Sequence, residues 1–226
     1  MNKSFIFFSK LSLLLVLFVI LAGSLVRMTG SGMGCPDWPK CFGYLIPPTN
    51  IEKITWKPNQ TYNKGVMILH DKKFFNSKNK FISKSSFESS NWIPYTKHDY
   101  TKFNPVNTWF EFVNRLIGAI AGFSTLIMFF LSTYEFKRNK KLTFLSGLVV
   151  LSMGFQALLG KLVVDSNLSP YKISIHMLMA IVIVCLLIYI IKKADAKYQI
   201  FKKTNCFFNV FDANSDFNWI KSPRIY

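Results

Sequence analysis

The sequence predicts an all-α membrane protein, a four-transmembrane-helix bundle with a long outer loop between helices 1 and 2. Three observations carry that expectation. Four stretches, 5–26, 112–133, 142–164 and 173–191, are almost pure hydrocarbon, each near or above the roughly 20 residues a helix needs to cross a bilayer core. Half of the 226 residues are apolar, 23 of them Phe, which excludes a disordered or low-complexity chain. The basic residues are sorted: they crowd some of the short connections and are missing from another.

The first stretch follows Lys3 and Lys10 and ends in Ala22-Gly23-Ser24, a pattern shared with cleavable signal peptides. Its apolar run is long for such a peptide and three further spans follow, so it is read as an anchor. Lys137, Arg138, Lys140 and Lys141 lie between the second and third stretches. Lys192, Lys193, Lys197, Lys202 and Lys203 follow the fourth. Short basic loops stay in the cytoplasm, so both termini are expected there, in the plasma membrane (the cell inner membrane). The connection 165–171, without Lys or Arg, then lies outside. So does the outer loop 27–110, whose twelve basic residues do not oppose this, because loops beyond about 60 residues translocate largely regardless of charge. The net charge of +17 therefore reports orientation and lipid contact, and no nucleic-acid partner is expected. Residues 1–203 form the membrane domain and 204–226 a cytoplasmic tail of unknown role. A loop as long as 27–110 is not idle between packed helices and is expected to cover a pocket.

The most informative stretch is Arg27-Met28-Thr29-Gly30-Ser31-Gly32-Met33-Gly34-Cys35-Pro36-Asp37-Trp38-Pro39-Lys40-Cys41-Phe42-Gly43. A helix ends at a basic residue, and glycines then permit close backbone approach. Cys35 and Cys41 enclose two prolines on the side expected to be oxidising, where a disulfide persists. Closing so short a loop is worth about 2 kcal/mol in the chain-entropy model. A structural staple and a redox role both remain open for this pair. The spacing is not that of covalent haem attachment, and no second pair stands nearby for zinc. Cys185 and Cys206 read as plain thiols.

Charged or ligating side chains inside a span are costly, and each is a candidate for function. Glu111, Asn114, Arg115 and Gly118 fall at i, i+3, i+4 and i+7 on one helix face, which Gly122 extends. Such a face admits a neighbouring helix or a porphyrin plane; an interfacial Glu111–Arg115 ion pair is the plainer reading. His176 is the one histidine in a span. It suits either axial ligation of haem iron or a hydrogen bond across helices. It lies at the same outer end as Glu111. Gln156 and Lys161 in the third span are secondary candidates, Gln156 as a donor to a substrate oxygen or a tie between helices, Lys161 snorkelling outward. His70 and His98, flanked by Lys and Asp, are expected in solvent.

The 27–43 stretch, continued by Pro47-Pro48-Thr49, resembles the signature after the first helix of the haem A synthase (Cox15/CtaA) family. Thr108 to Gly118 resembles that family's Glu-x-x-His-Arg helix. Gln156-Ala157-Leu158-Leu159-Gly160 with Val163-Val164 resembles its third helix, and Ser174-Ile175-His176-Met177-Leu178 its histidine-bearing fourth. The resemblance covers residues 11 to about 195 and corresponds to the N-terminal half of the family.

The resemblance implies an oxidoreductase of haem A biosynthesis for cytochrome oxidase. Haem O is its substrate, the C8 methyl becomes a formyl group, water supplies the oxygen and electrons leave through haem b. It implies Glu111 as the catalytic carboxylate, His176 as a ligand of haem iron and Arg115 as partner of a haem propionate. Haem O synthase is an implied neighbour. Two departures stand out. Asn114 occupies the place of the motif's histidine, leaving iron ligated by His176 alone with an open position toward Asn114. Full-length members have eight helices, and their second half carries the haem b histidines; this chain has four, which calls for a homodimer or a missing C-terminal half. The rival functions are a non-catalytic haem-binding or oxidase-assembly subunit, and a membrane thiol–disulfide oxidoreductase using Cys35 and Cys41.

Overall fold

Asn104 and Pro105 open the second helix seven residues ahead of its apolar run. The Asn104 side chain accepts from the N–H groups of Val106 (2.9 Å) and Asn107 (3.4 Å), and Pro105 needs no partner in the first turn. The computed structural model describes residues 3–96, 103–134, 136–137 and 139–215, with side chains as far as Ala196. Its helices are α1 (Lys3–Met28), α2 (Pro105–Thr133), α3 (Lys140–Asp165) and α4 (Pro170–Ser215). All four are long and apolar enough to cross a membrane, α4 over Pro170–Ala196. The chain is a multi-pass helical membrane protein. α4 does not stop at its apolar run, because 192–215 holds no Gly or Pro to break it. The helix thus takes in the first part of the segment read as a tail; residues 216–226 lie outside the described residues, as do the side chains of Lys197, Lys202, Lys203 and Cys206.

α1 packs against α2 and α4, and α3 against the same two, so the helices stand in ring order α1-α2-α3-α4. Since the chain alternates direction, α1 and α3 end where α2 and α4 begin. At the opposite end the core is closed by Phe5, Ile6, Val16, Ala121, Met128, Leu142, Val149, Ile183, Leu187, Ile190 and Ala194. In lipid such packing depends on close approach, and buried small residues provide it: Ser12 meets Ser124 at 2.9 Å, and Thr143 Oγ1 donates to the Ser132 carbonyl at 2.9 Å. Lys10 and Asp195 pair at 3.0 Å between α1 and α4.

The half of the bundle toward the α1–α2 connection differs. Among the described residues, no side chain of 17–25 in α1, 112–120 in α2 or 170–179 in α4 is buried, and in α3 after Ser152 only Leu159 is. A helix packed on its neighbours buries a side chain about once per turn. This half is thus more loosely packed than the other, although Val19, Ile20, Met153 and Met179 still pack against the core.

The sequence reading assigns no strands to the connection between α1 and α2, yet it folds into five short ones. β1 (Thr61–Tyr62) pairs with β4 (Phe81–Ile82), and β3 (Lys73–Ser77) lies between β2 (Met67–His70) and β5 (Trp92–Pro94), all antiparallel. Asp71 and Lys72, both at positive φ, make the two-residue hairpin turn that matches strand twist. Tyr62, Val66, Ile68 and Trp92 form one small core; Phe42, Ile54, Met67 and Phe74 form another around Cys35 and Cys41. His70 keeps part of its surface in solvent, as the sequence reading has it, while stacking on Phe87 at 4.1 Å and meeting Trp56 edge-on, 3.4 Å from Asp71. His98 lies outside the described residues.

Candidate functional site

The loop after α1 is clamped onto the first turns of α2. Gly34 lies so close that a Cβ there would stand 2.5 Å from the Asn107 carbonyl oxygen and 2.7 Å from the Thr108 nitrogen, both backbone atoms. No other residue fits that approach without moving the helix. Thr108 Oγ1 reaches back to the Gly34 carbonyl at 2.9 Å. Cys35 and Cys41 are joined in a disulfide, with relative exposures of 0% and 1%. Inside the loop, the Asp37 carboxylate accepts from the N–H groups of Phe42 (2.6 Å) and Gly43 (2.8 Å), and Tyr95 Oη donates to the Pro36 carbonyl at 2.9 Å. Burial pushes the Asp37 carboxyl above its ordinary value, against the pull of those N–H groups and of Arg115.

Two α2 side chains engage this loop from below. Glu111, 4% exposed, accepts from the Cys35 N–H at 2.8 Å through Oε2 and from Arg115 through Oε1. Arg115 in turn donates to three loop carbonyls, Asp37 (2.9 Å), Lys40 (3.1 Å) and Cys35 (3.1 Å). The planar fork of guanidinium donors suits such a set, and an ammonium does not. The ion pair read from the i, i+4 spacing is present, and the disulfide loop is its third member. The carbonyls and Glu111 occupy both terminal nitrogens of Arg115, the groups a propionate would need.

A second cluster lies between α3 and α4. Gln156 Nε2 donates to the His176 carbonyl at 3.0 Å and stands 3.5 Å from His176 Nε2. That second distance is at the limit of a hydrogen bond. Gly160, one turn further along α3, leaves room for the ring: a Cβ there would be 3.5 Å from His176 Cε1. His176 Nδ1 and Gln156 Oε1 are buried without a partner, as is Asn114 Oδ1 on α2, beside Gly23 of α1. Each unpaired buried polar atom calls for an explanation. Lys161 is exposed, and Cys185 is a free exposed thiol.

Glu111 and His176 are both the seventh residue of their helices, at the same end of the bundle and on diagonal members of the ring. At about 1.5 Å per residue each lies roughly 9 Å along its helix from the first residue. No hydrogen bond joins the two clusters among the described residues. Gly118 and Gly122, on the Glu111 face, have nothing within 4 Å of where a Cβ would stand. A separate apolar hollow of 540 Å³, lined by Thr49, Pro105, Val106, Trp109, Phe110 and Val113, contains none of these groups. The sequence reading gives Asp37 and Thr108 no role of their own within the stretches it singles out, and Tyr95 is absent from it. Their signal is weak, because they act through backbone atoms; only Asp37, in a Cys-Pro-Asp turn, carried a local hint.

Together these features define a polytopic helical membrane protein whose disulfide-closed loop holds a buried carboxylate at one end of the bundle. Residues 7–83 and 83–209 match the COX15-CtaA family, described as cytochrome oxidase assembly protein, and the chain belongs to that family. The heme A synthase of Shewanella oneidensis is 26% identical over 179 residues, 79% of this chain and 42% of that relative. That of Ehrlichia canis is 27% identical over 178 residues, 76% of this chain and 44% of the relative. That of Bacillus licheniformis is 42% identical over a shorter stretch of 55 residues, 24% of this chain and 18% of the relative. The chain thus spans less than half the length of these curated relatives. No solved structure matches it.

Proposed function

We propose that this chain is the substrate-side half of a haem A synthase, in which the C8 methyl of haem O is oxidised to the formyl group of haem A. One observation carries the reading: a buried carboxylate, Glu111, and an imidazole with an unpartnered ring nitrogen, His176, each in the second turn of its helix at the same end of the bundle. The residues suit a haem. His176 offers a ring nitrogen without a partner for iron, and on the Gly118–Gly122 face a Cβ would meet nothing within 4 Å, which suits the approach of a flat ring. Asn114, an amide, is a poor ligand for iron and leaves His176 as the one protein ligand.

Converting a methyl to a formyl group with water as oxygen source releases four electrons and four protons. A bound haem b would supply one-electron acceptance for this chemistry, and would be held by a second half, either a partner copy or a longer chain. Glu111 is the group that meets the reacting methyl, as a base or as a carboxylate facing an electron-poor carbon. Arg115 and the Cys35 N–H fix its two oxygens, so Arg115 acts as a positioning residue and not as a propionate partner. The disulfide loop roofs this end and limits water. The basic connections support both termini in the cytoplasm and this roof on the outer face of the plasma membrane. Haem O synthase is the natural supplier of the substrate. The complete burial of both sulfurs favours the staple role over thiol exchange.

The test is a pyridine haemochrome spectrum with mass analysis of extracted haem, on the full chain purified after co-expression with a haem O source. Haem A in wild type, and retained haem O without haem A in Glu111→Gln, is the expected pair. A chain that carries no haem overturns the reading. Haem content and product unchanged in Glu111→Gln makes the chain a binding subunit.

A further inference from the structure

The hydrogen bonds of Gln156 among the described residues both go to His176: its Nε2 donates to the His176 carbonyl at 3.0 Å and stands 3.5 Å from the ring Nε2. Gly160 receives the ring one turn along the same helix, 3.5 Å from His176 Cε1. α3 therefore offers a seat for this imidazole, an amide at one edge and a glycine beside it. A plain tie between helices explains the Nε2 bond. It does not explain why the other end of the amide, Oε1, is buried with no donor, beside a ring whose Nδ1 is buried with no acceptor. Two unsatisfied groups on touching side chains are costly in a membrane interior, and something must later satisfy them.

Ligand chemistry supplies the resolution. An imidazole that binds a metal through one nitrogen carries a proton on the other, and that N–H almost always donates to a carboxylate, carbonyl or amide oxygen. The free acceptor on the side chain already in contact with this ring is Gln156 Oε1. We propose that Gln156 is the positioning residue of His176: it holds the ring while Nδ1, the unpartnered nitrogen, is the one offered to iron, and its amide then turns so that Oε1 accepts from the Nε2–H in place of the 3.5 Å Nε2 contact. The inference rests on the haem reading of His176. It assigns Gln156 a part in setting the basicity of that ligand, distinct from the carboxylate chemistry of Glu111.

The experiment loads the full-length chain, purified in detergent, with haem B as the probe. It reads the affinity by titration and the iron–histidine stretching band of the ferrous form by resonance Raman. Gln156→Leu removes the acceptor at similar size. Its band moves to lower frequency and haem binds about 10–100-fold more weakly, the usual effect of losing such a partner. Gln156→Glu strengthens the acceptor, moves the band to higher frequency, and decides the matter alone where Gln156→Leu does not fold. His176→Ala is the control on the underlying reading, and loses both haem and band. An unchanged band in the Gln156 variants, with haem lost in His176→Ala, overturns the positioning role and leaves the haem reading standing. Haem and band both retained in His176→Ala overturn the two together.

Discussion

Arg115 on α2 donates to the carbonyl oxygen of Asp37 at 2.9 Å, while the carboxylate of that same Asp37 takes the N–H groups of Phe42 and Gly43. The helix thus grips the loop at the residue that closes the loop on itself. A neighbouring nitrogen of Arg115 pairs with Glu111, whose other oxygen takes the Cys35 N–H. The candidate catalytic carboxylate is therefore positioned by a loop more than seventy residues away in sequence, and changes in the loop must be felt at Glu111.

Arg115 is the member that shape alone makes irreplaceable. Arg115→Lys keeps the charge but cannot reach three carbonyls and Glu111 at once, and is expected to lose about 1–3 kcal/mol of stability. Arg115→Ala leaves the Glu111 carboxylate buried and unpaired, at about 3–5 kcal/mol. Denaturant unfolding in detergent, followed by tryptophan fluorescence, measures both. Equal stabilities for wild type and Arg115→Lys would show the carbonyl contacts to be idle.

Much of this was legible in the sequence, and the reasons for the rest are physical. Apolar runs reveal spans because lipid demands them, so α1 to α4 could be read directly. Helix starts follow capping instead, and Asn104-Pro105 was the signal that carries α2 back past its apolar run, putting Glu111 in its second turn. The shared face of Glu111, Asn114 and Arg115 follows from helical spacing. What Arg115 binds does not: its acceptors are main-chain carbonyls, and every residue has one. The strands of the connection are two to five residues long, too short for alternation to announce them.

The pH dependence of the loop is set by Asp37. Burial raises its carboxyl above the ordinary 3.8, so the folded loop keeps the proton to higher pH than the unfolded chain. The contribution of Asp37 to stability is then complete below the ordinary value and declines as pH rises through the raised, folded one. Asp37→Asn has no such titration. Melting temperatures of the two proteins from about pH 4 upward are expected to show the advantage of wild type shrinking as pH rises. A difference that stays level, or widens, contradicts a raised carboxyl at Asp37.

The disulfide is expected to resist reagents that exchange thiols. With Cys35 and Cys41 buried, a water-soluble phosphine and an alkylating agent leave both unmodified in the folded protein and react only after denaturant is added. Intact mass before and after treatment reads this out. Replacing both cysteines by serine lowers stability by about 2 kcal/mol, the loop-closure estimate for so short a ring. Ready reduction without denaturant would instead return the thiol–disulfide oxidoreductase to contention.

Gly118 tests whether the looser half of the bundle is a binding space or merely loose packing. It sits one turn below Asn114 on the Glu111 face, and a Cβ there meets nothing within 4 Å. The first atom of a side chain there therefore has free space, and exchanging a mid-helix glycine for a good helix former favours folding by up to about 1 kcal/mol. If the space is vacant by accident, Gly118→Leu fills part of it and the protein melts at the same temperature or higher, with haem content unchanged. If it receives a haem, the same substitution leaves the melting temperature of the haem-free protein intact and lowers haem occupancy several-fold. Thermal melts and pyridine haemochrome, run side by side on the one variant, separate the two. The second pattern is the expected one, because no side chain of 112–120 is buried although Glu111 directly above is.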